Sequence, residues 1–140
     1  MARLLIKAPR LLDGNGNPPV QDAALLIDGE TIKFAGAAAA APAEPDAQVL
    51  TYADSTILPG LIDAHVHLMN TGSADPFADR AWMTETLTSL QAAKNAWDAL
   101  RIGVTTVRDL GSYGDTVFDL RRAVYLLRQQ RHANQRWTLL

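Results

Sequence analysis

The sequence predicts an α/β chain in two parts. A β-rich stretch runs to about residue 58, and strand, helix, strand, helix follow from about residue 59 to 140. Three observations support this. Up to residue 58 the apolar residues come in short runs broken by Gly, Pro and Asn. From about Asp79 they recur instead at steps of three and four. Two short apolar runs, Gly60 to His67 and Val104 to Val107, flank that helical stretch. A strand, a long crossover and a second strand are the sequence form of a parallel βαβ unit.

In the first part, Leu4-Leu5-Ile6 and Leu11-Leu12 lie either side of Pro9, and residues 13–19 are dense in turn formers. Residues 24–27 and 31–34 read as a hairpin, with Asp28-Gly29 supplying the positive φ angles of its turn. Residues 37–45 are rich in Ala and Pro and read as a loop, and Val49 to Tyr52 as a further strand.

The second part opens on Pro59-Gly60 and a run long enough for one buried strand. Residues 69–79 read as the loop at its end, and residues 79–101 as one helix. Trp82, Thr86, Leu87, Leu90, Ala93, Trp97 and Leu100 form its apolar stripe, with both tryptophans as core anchors. Gly103 ends the helix, and β-branched Val104 to Val107 reads as a buried strand. Asp115 can cap a second helix that runs to about Gln130.

Side chains two apart on a strand share a face, so His65 and His67 point the same way. Two neutral imidazoles a few ångströms apart can close on one metal ion. A bare His-x-His also arises as two unrelated polar residues at a strand end, and the pair alone leaves that choice open. Asp63 shares their face, either as a buried structural carboxylate or as a group that orients His65 from behind. Asp109, at the mouth of the second strand, is the best local carboxylate for catalytic contact with substrate or metal. His132 reads as exposed.

The frame Leu58-Pro59-Gly60-Leu61-Ile62-Asp63-Ala64-His65-Val66-His67-Leu68 resembles the first metal-binding strand of the amidohydrolase superfamily. Gly103-Val104-Thr105-Thr106-Val107-Arg108-Asp109-Leu110-Gly111 resembles that family's second barrel strand. The likeness is to its imidazolonepropionase-like and Xaa-Pro dipeptidase-like branch. It implies that residues 1–58 are part of a small β-sandwich, and residues 59–140 the first two βα units of an incomplete (β/α)8 TIM-type barrel. It implies a divalent metal, zinc first, held by His65 and His67. The implied activity is hydrolysis of a C–N bond in an amide, a cyclic amide or a dipeptide, through metal-activated water. The implied substrate is a small molecule or dipeptide.

The family's further ligands and its general base lie on later strands and have no counterpart here. A whole barrel takes about 250 residues, and this chain has 140. The reading from a second class is therefore a catalytically inactive amidohydrolase-like fragment. Residues 125–140 carry three arginines and no acid, and only residues 137–140 could begin a third strand. A chain cut at this point, or a tail foreign to the family, would each look like this.

Net charge −2 and a pI near 5.8 argue against nucleic acid and anionic membrane as partners. No apolar run approaches the roughly 20 residues of a membrane helix, and the short run after Met1 lacks the core of a signal peptide. Cytoplasm is the default compartment. The chain has no cysteine, so any metal needs imidazole, carboxylate or a modified lysine. An open barrel leaves a bare parallel edge, and a homo-oligomer is the expected way to cover it.

Overall fold

The structure is a computed structural model. It describes residues 3–133, with side chains to residue 127. The chain divides into two compact units, Met1–Pro59 and Gly60–Leu140.

The first unit is a single five-stranded sheet. Its strands are β1 (Arg3–Leu11), β2 (Val20–Asp28), β3 (Thr31–Ala37), β4 (Gln48–Thr51) and β5 (Thr56–Ile57). They lie in the order β3-β2-β1-β4, with β5 also on β1. β1 pairs antiparallel with β2, while β4 and β5 join it in parallel at Leu4–Lys7 and at Arg10–Leu11. Alternation puts Leu5, Ala24 and Leu26 on one face, where Phe34, Ala38, Ala41 and Ala47 pack against them. Leu26 is 2% exposed and is the largest fully buried side chain of the described residues.

Two expectations change in this unit. β1 runs straight through Pro9, and the β1–β2 ladder skips only the Pro9/Asp22 pair. Proline has no N–H to give, and Asp22 opposite takes φ 46°, a left-handed conformation that aspartate tolerates better than most. The hairpin turn is Gly29-Glu30, since Asp28 pairs with Thr31, and Gly29 alone has positive φ (60°). A two-residue turn with glycine first has the type II′ pattern. The described residues of this unit hold one sheet, and the resemblance implied that this stretch is part of a composite β-sandwich.

The second unit opens with β6 (Leu61–Val66) and closes with α3 (Thr116–Ala133). Between them lie α1 (Pro76–Arg80), α2 (Glu85–Arg101) and β7 (Val104–Asp109). β6 and β7 are adjacent and parallel, as the sequence predicts. The expected helix over residues 79–101 is broken by residues 81–84. Asp75 caps α1 by accepting from the amides of Phe77 and Ala78, and Thr84 restarts the helix by accepting from Leu87 N.

The two strands are not buried. Among the described residues β6 has only β7 beside it, and Ile62 is 73% exposed. Parallel strands are buried when both faces are covered, and the described residues do not cover them. α2 also turns the opposite face inward from the one its leucines and tryptophans suggest. Thr88 and Ala92 are buried, with Asn95, Ala96 and Ala99 half-buried beside them. Leu90 and Trp97 (52%) stay exposed, as does Trp82 in the turn before α2. Small side chains let a helix approach its neighbours closely, and α2 meets β7 and α3 along that face.

Gly60 sets the start of the β6–β7 contact. A Cβ there would lie 2.1–2.7 Å from the Thr105 side chain, including 2.7 Å from its Cβ, which no rotamer change relieves. Gly60→Ala should therefore destabilise the second unit by about 1–3 kcal/mol, in the range of core overpacking. A chemical denaturation midpoint equal to that of the parent chain would contradict this. The bare strand faces and the Leu90–Trp97 face should also make the chain self-associate. Sedimentation at micromolar concentration is expected to show oligomers, and a sharply melting monomer would contradict the exposure described.

Candidate metal centre

His65 lies in β6 and His67 directly after it. Their rings are edge to face, with centroids 5.3 Å apart. Both side chains are exposed, and their backbones are held very differently.

The segment after His67 is fixed from three sides. The ladder continues past β7, as Leu110 N donates to Val66 O (3.0 Å). The Asp109 carboxylate then bridges the two strand ends. Its Oδ2 accepts from Leu68 N (2.9 Å) and its Oδ1 from Gly111 N (3.0 Å). From α2, Asn95 Nδ2 donates to Leu68 O and Asn70 O, each at 2.7 Å. Gln91 Nε2 donates to Asn95 Oδ1 (2.9 Å), which fixes which way that amide faces. Asn70 N closes a turn onto His67 O (3.0 Å), and Leu68 and Met69 are buried.

The His67 ring meets the same bracket. Its Nδ1 lies 3.1 Å from Gly111 O. A carbonyl can only accept, so Nδ1 carries the proton and Nε2 keeps its lone pair as a potential ligand. His65 is looser. Its backbone N–H donates to Asp63 Oδ1 (3.1 Å), so the Asp63 carboxylate meets the main chain of His65 and not the ring.

Beside His67 is a cavity of about 210 Å³, lined also by Asn70, Phe77, Arg80, Gly111 and Ser112. The Ser112 hydroxyl is buried there with no hydrogen-bond partner among the described residues. The Arg80 guanidinium stacks 3.7 Å from the centroid of the Tyr113 ring and 5.5 Å from that of Phe77. Next to it, Asp79 Oδ2 accepts from the hydroxyls of Ser73 (2.6 Å) and Thr71. These bonds, Ser73 first, hold the Asp79 carboxyl below the usual carboxylate range.

Imidazole nitrogen is a suitable donor for zinc and related divalent metals. In chemistry His65 and His67 fit such an ion; in number they are two donors. No group of three or more His, Asp or Glu among the described residues is arranged to hold a metal. The side chain of His132 lies outside the described residues.

The sequence pattern of the amidohydrolase family matches residues 56–139, which include both histidines, Asn95, Asp109 and Gly111. The chain belongs to the amidohydrolase family. Imidazolonepropionase of Streptomyces griseus is 36% identical over 89% of this chain and 36% of its own length. The crystal structure of Aspergillus niger ochratoxinase matches 89% of the chain and 29% of its own, at 27% identity and TM-score 0.70. A Xaa-Pro dipeptidase crystallised with methionine in its active site matches 89% of the chain and 30% of its own, at 26% identity and TM-score 0.70. The chain thus spans about a third of the length of such relatives. The family match also runs through the arginine-rich stretch after residue 127, so that stretch is not foreign to the family.

Asn95 and Gln91 were not legible as site residues, because polar positions on a helix are usually solvated. The available signal was Asn95 in line with Thr88, Ala92 and Ala99, on a face otherwise of small residues.

No helix among the described residues is long and apolar enough to cross a membrane.

The lowered Asp79 carboxyl gives a test by pH. A carboxylate whose folded pKa is depressed stabilises above its unfolded pKa, about 3.9. It loses that contribution as the pH falls through the lower folded value. Amide signals of Thr71 and Ser73 should therefore shift together below about pH 4, and this response should vanish in Asp79→Asn. Unchanged shifts down to pH 2 in the parent chain would contradict the bonding.

Proposed function

We propose that this chain supplies the opening part of a metal-dependent hydrolase centre, with His65 and His67 as its first two ligands and a C–N bond as its target. The observation that supports this most directly is the His67 ring, whose Nδ1 is engaged by Gly111 O (3.1 Å) and whose Nε2 is left to ligate. The ion, zinc first, would polarise the scissile carbonyl and lower the pKa of water. The part played by this chain is to present the two imidazoles and to shape the wall beside them.

Imidazolonepropionase and Xaa-Pro dipeptidase, by name, act on a cyclic amide and on a dipeptide. Both are C–N substrates, and we carry that class to this chain. Arg80 gives the cavity beside His67 a cationic wall, which suits a small substrate bearing a carboxylate, as a dipeptide does. The architecture we propose is the first two βα units of a (β/α)8 barrel. The remaining ligands and the general base would come from the length of the relatives that this chain does not span.

A second reading is a catalytically inactive fragment. It is favoured by the lack of a third metal-ligating group among the described residues. Three protein ligands are usual for catalytic zinc, and acid–base help is typically worth about 10²–10⁴-fold.

The test is metal content and turnover of a dipeptide and lactam panel, with this chain and with one extended to the length of its relatives. Weak divalent-metal binding and no turnover are expected for residues 1–140. In the extended chain His65→Ala or His67→Ala should abolish turnover and lower metal content, and His132→Ala should do neither. Turnover by residues 1–140 that is lost in His65→Ala would show that the site is more complete than described.

A further inference from the structure

Among the described residues Asp109 hydrogen-bonds the amides of Leu68 and Gly111, and the hydrogen bonds that fix His67 lead back to it. One carboxylate oxygen holds Leu68 N, the residue after His67 (2.9 Å). The other holds Gly111 N (3.0 Å), and the carbonyl of Gly111 meets His67 Nδ1 (3.1 Å). Val66, just before His67, pairs with Asp109 in the β6–β7 ladder. The clearance is also tight, since a Cβ on Gly111 would lie 3.0 Å from both Nδ1 and Cε1 of His67. Among the described residues no such hydrogen bond supports the ring of His65.

We infer that Asp109 is a positioning residue: by holding Leu68 and Gly111 together it sets the orientation of His67 and fixes the proton on Nδ1. The role follows from the two ends of one carboxylate. An ionised carboxylate is acceptor-only and takes an N–H on each oxygen. Asparagine, the same shape, offers one acceptor and turns an NH₂ group toward the other N–H. Whichever amide faces the NH₂ loses its acceptor, so Leu68 and Gly111 are no longer held together and the Gly111 carbonyl no longer selects the tautomer of His67. A free neutral imidazole exchanges between its two tautomers, and the fraction with a lone pair on Nε2 falls. Partners of this kind behind a ligating histidine are typically worth 10–100-fold in metal affinity.

The inference rests on the reading of His67 as a metal ligand, and the test separates the two. Long-range ¹H–¹⁵N spectra of the metal-free chain above pH 8 report the protonated ring nitrogen of each histidine. His67 is expected as the Nδ1–H form and His65 as a mixture. In Asp109→Asn, His67 should become a mixture while His65 keeps its shifts. Gly111→Ala, which crowds the ring directly, should move His67 in the same way. Zinc affinity, measured with zinc sulfate alone, should fall about ten- to hundredfold in Asp109→Asn. If Asp109→Asn does not fold, Asp109→Ser, which keeps one acceptor oxygen, is read in its place. An unaltered His67 tautomer, equal changes at both histidines, or failure of both Asp109 variants to fold would each overturn the positioning role. Wild-type chain that binds no zinc but shows the tautomer change would instead overturn the ligand reading and leave the positioning role standing.

Discussion

The second unit depends on one carboxylate shared between two strand ends. β6 and β7 form a two-stranded parallel ladder, and such a pair has little to hold it beyond its own hydrogen bonds. Where the ladder stops, Asp109 takes over, joining Leu68 N to Gly111 N. Hydrogen bonds to a charged group are worth about 1.5–3 kcal/mol each. Exposed ion pairs such as Lys94–Asp98 on α2 contribute about 0–1 kcal/mol. The bridge therefore matters more than the surface charges, and it lies next to His67. Asn95 completes it from the helix, so strand, loop and helix converge on the residue that follows the second imidazole.

Around that ordered point the unit is thinly packed. Its buried side chains are Leu68, Met69, Thr88, Ala92 and Thr116 among the described residues. Both faces of β6 and the leucine and tryptophan face of α2 remain open. Small buried cores give marginal stability, and apolar surface left in water works against it. The relatives that this chain matches, such as the Streptomyces griseus imidazolonepropionase, are about three times as long. The first unit differs, with a ladder along β1 that skips only the Pro9/Asp22 pair and a closed apolar cluster at Leu5, Ala24 and Leu26.

Strand positions, the parallel pairing and the family were legible because they rest on short apolar runs and on one dense motif. The fine structure was less so, for identifiable reasons. An apolar stripe on α2 shows which face can be buried, but the face that is buried depends on what lies opposite, and small residues won there. Asp75 and Thr84 both carry capping chemistry, yet the apolar spacing continues across residues 81–84 and hides the break. Asp63 lies two residues before His65, whereas Asp109 lies far from both strand histidines in sequence, at the end of the second strand. Only the fold shows that the Asp63 carboxylate meets a backbone amide of its own strand, while Asp109 reaches across to the other. Asn95 carries only a weak sequence signal, its place in line with Thr88, Ala92 and Ala99, and the partners it holds are set by the fold.

Amide hydrogen exchange tests the central claim most directly. The amides of Leu68 and Gly111 lie just beyond regular secondary structure, where protection is ordinarily low. If Asp109 holds them, both should exchange as slowly as the ladder amides of β6 and β7. Exchange of Leu68 and Gly111 at the rate of exposed loop amides, with the ladder still protected, would contradict the account.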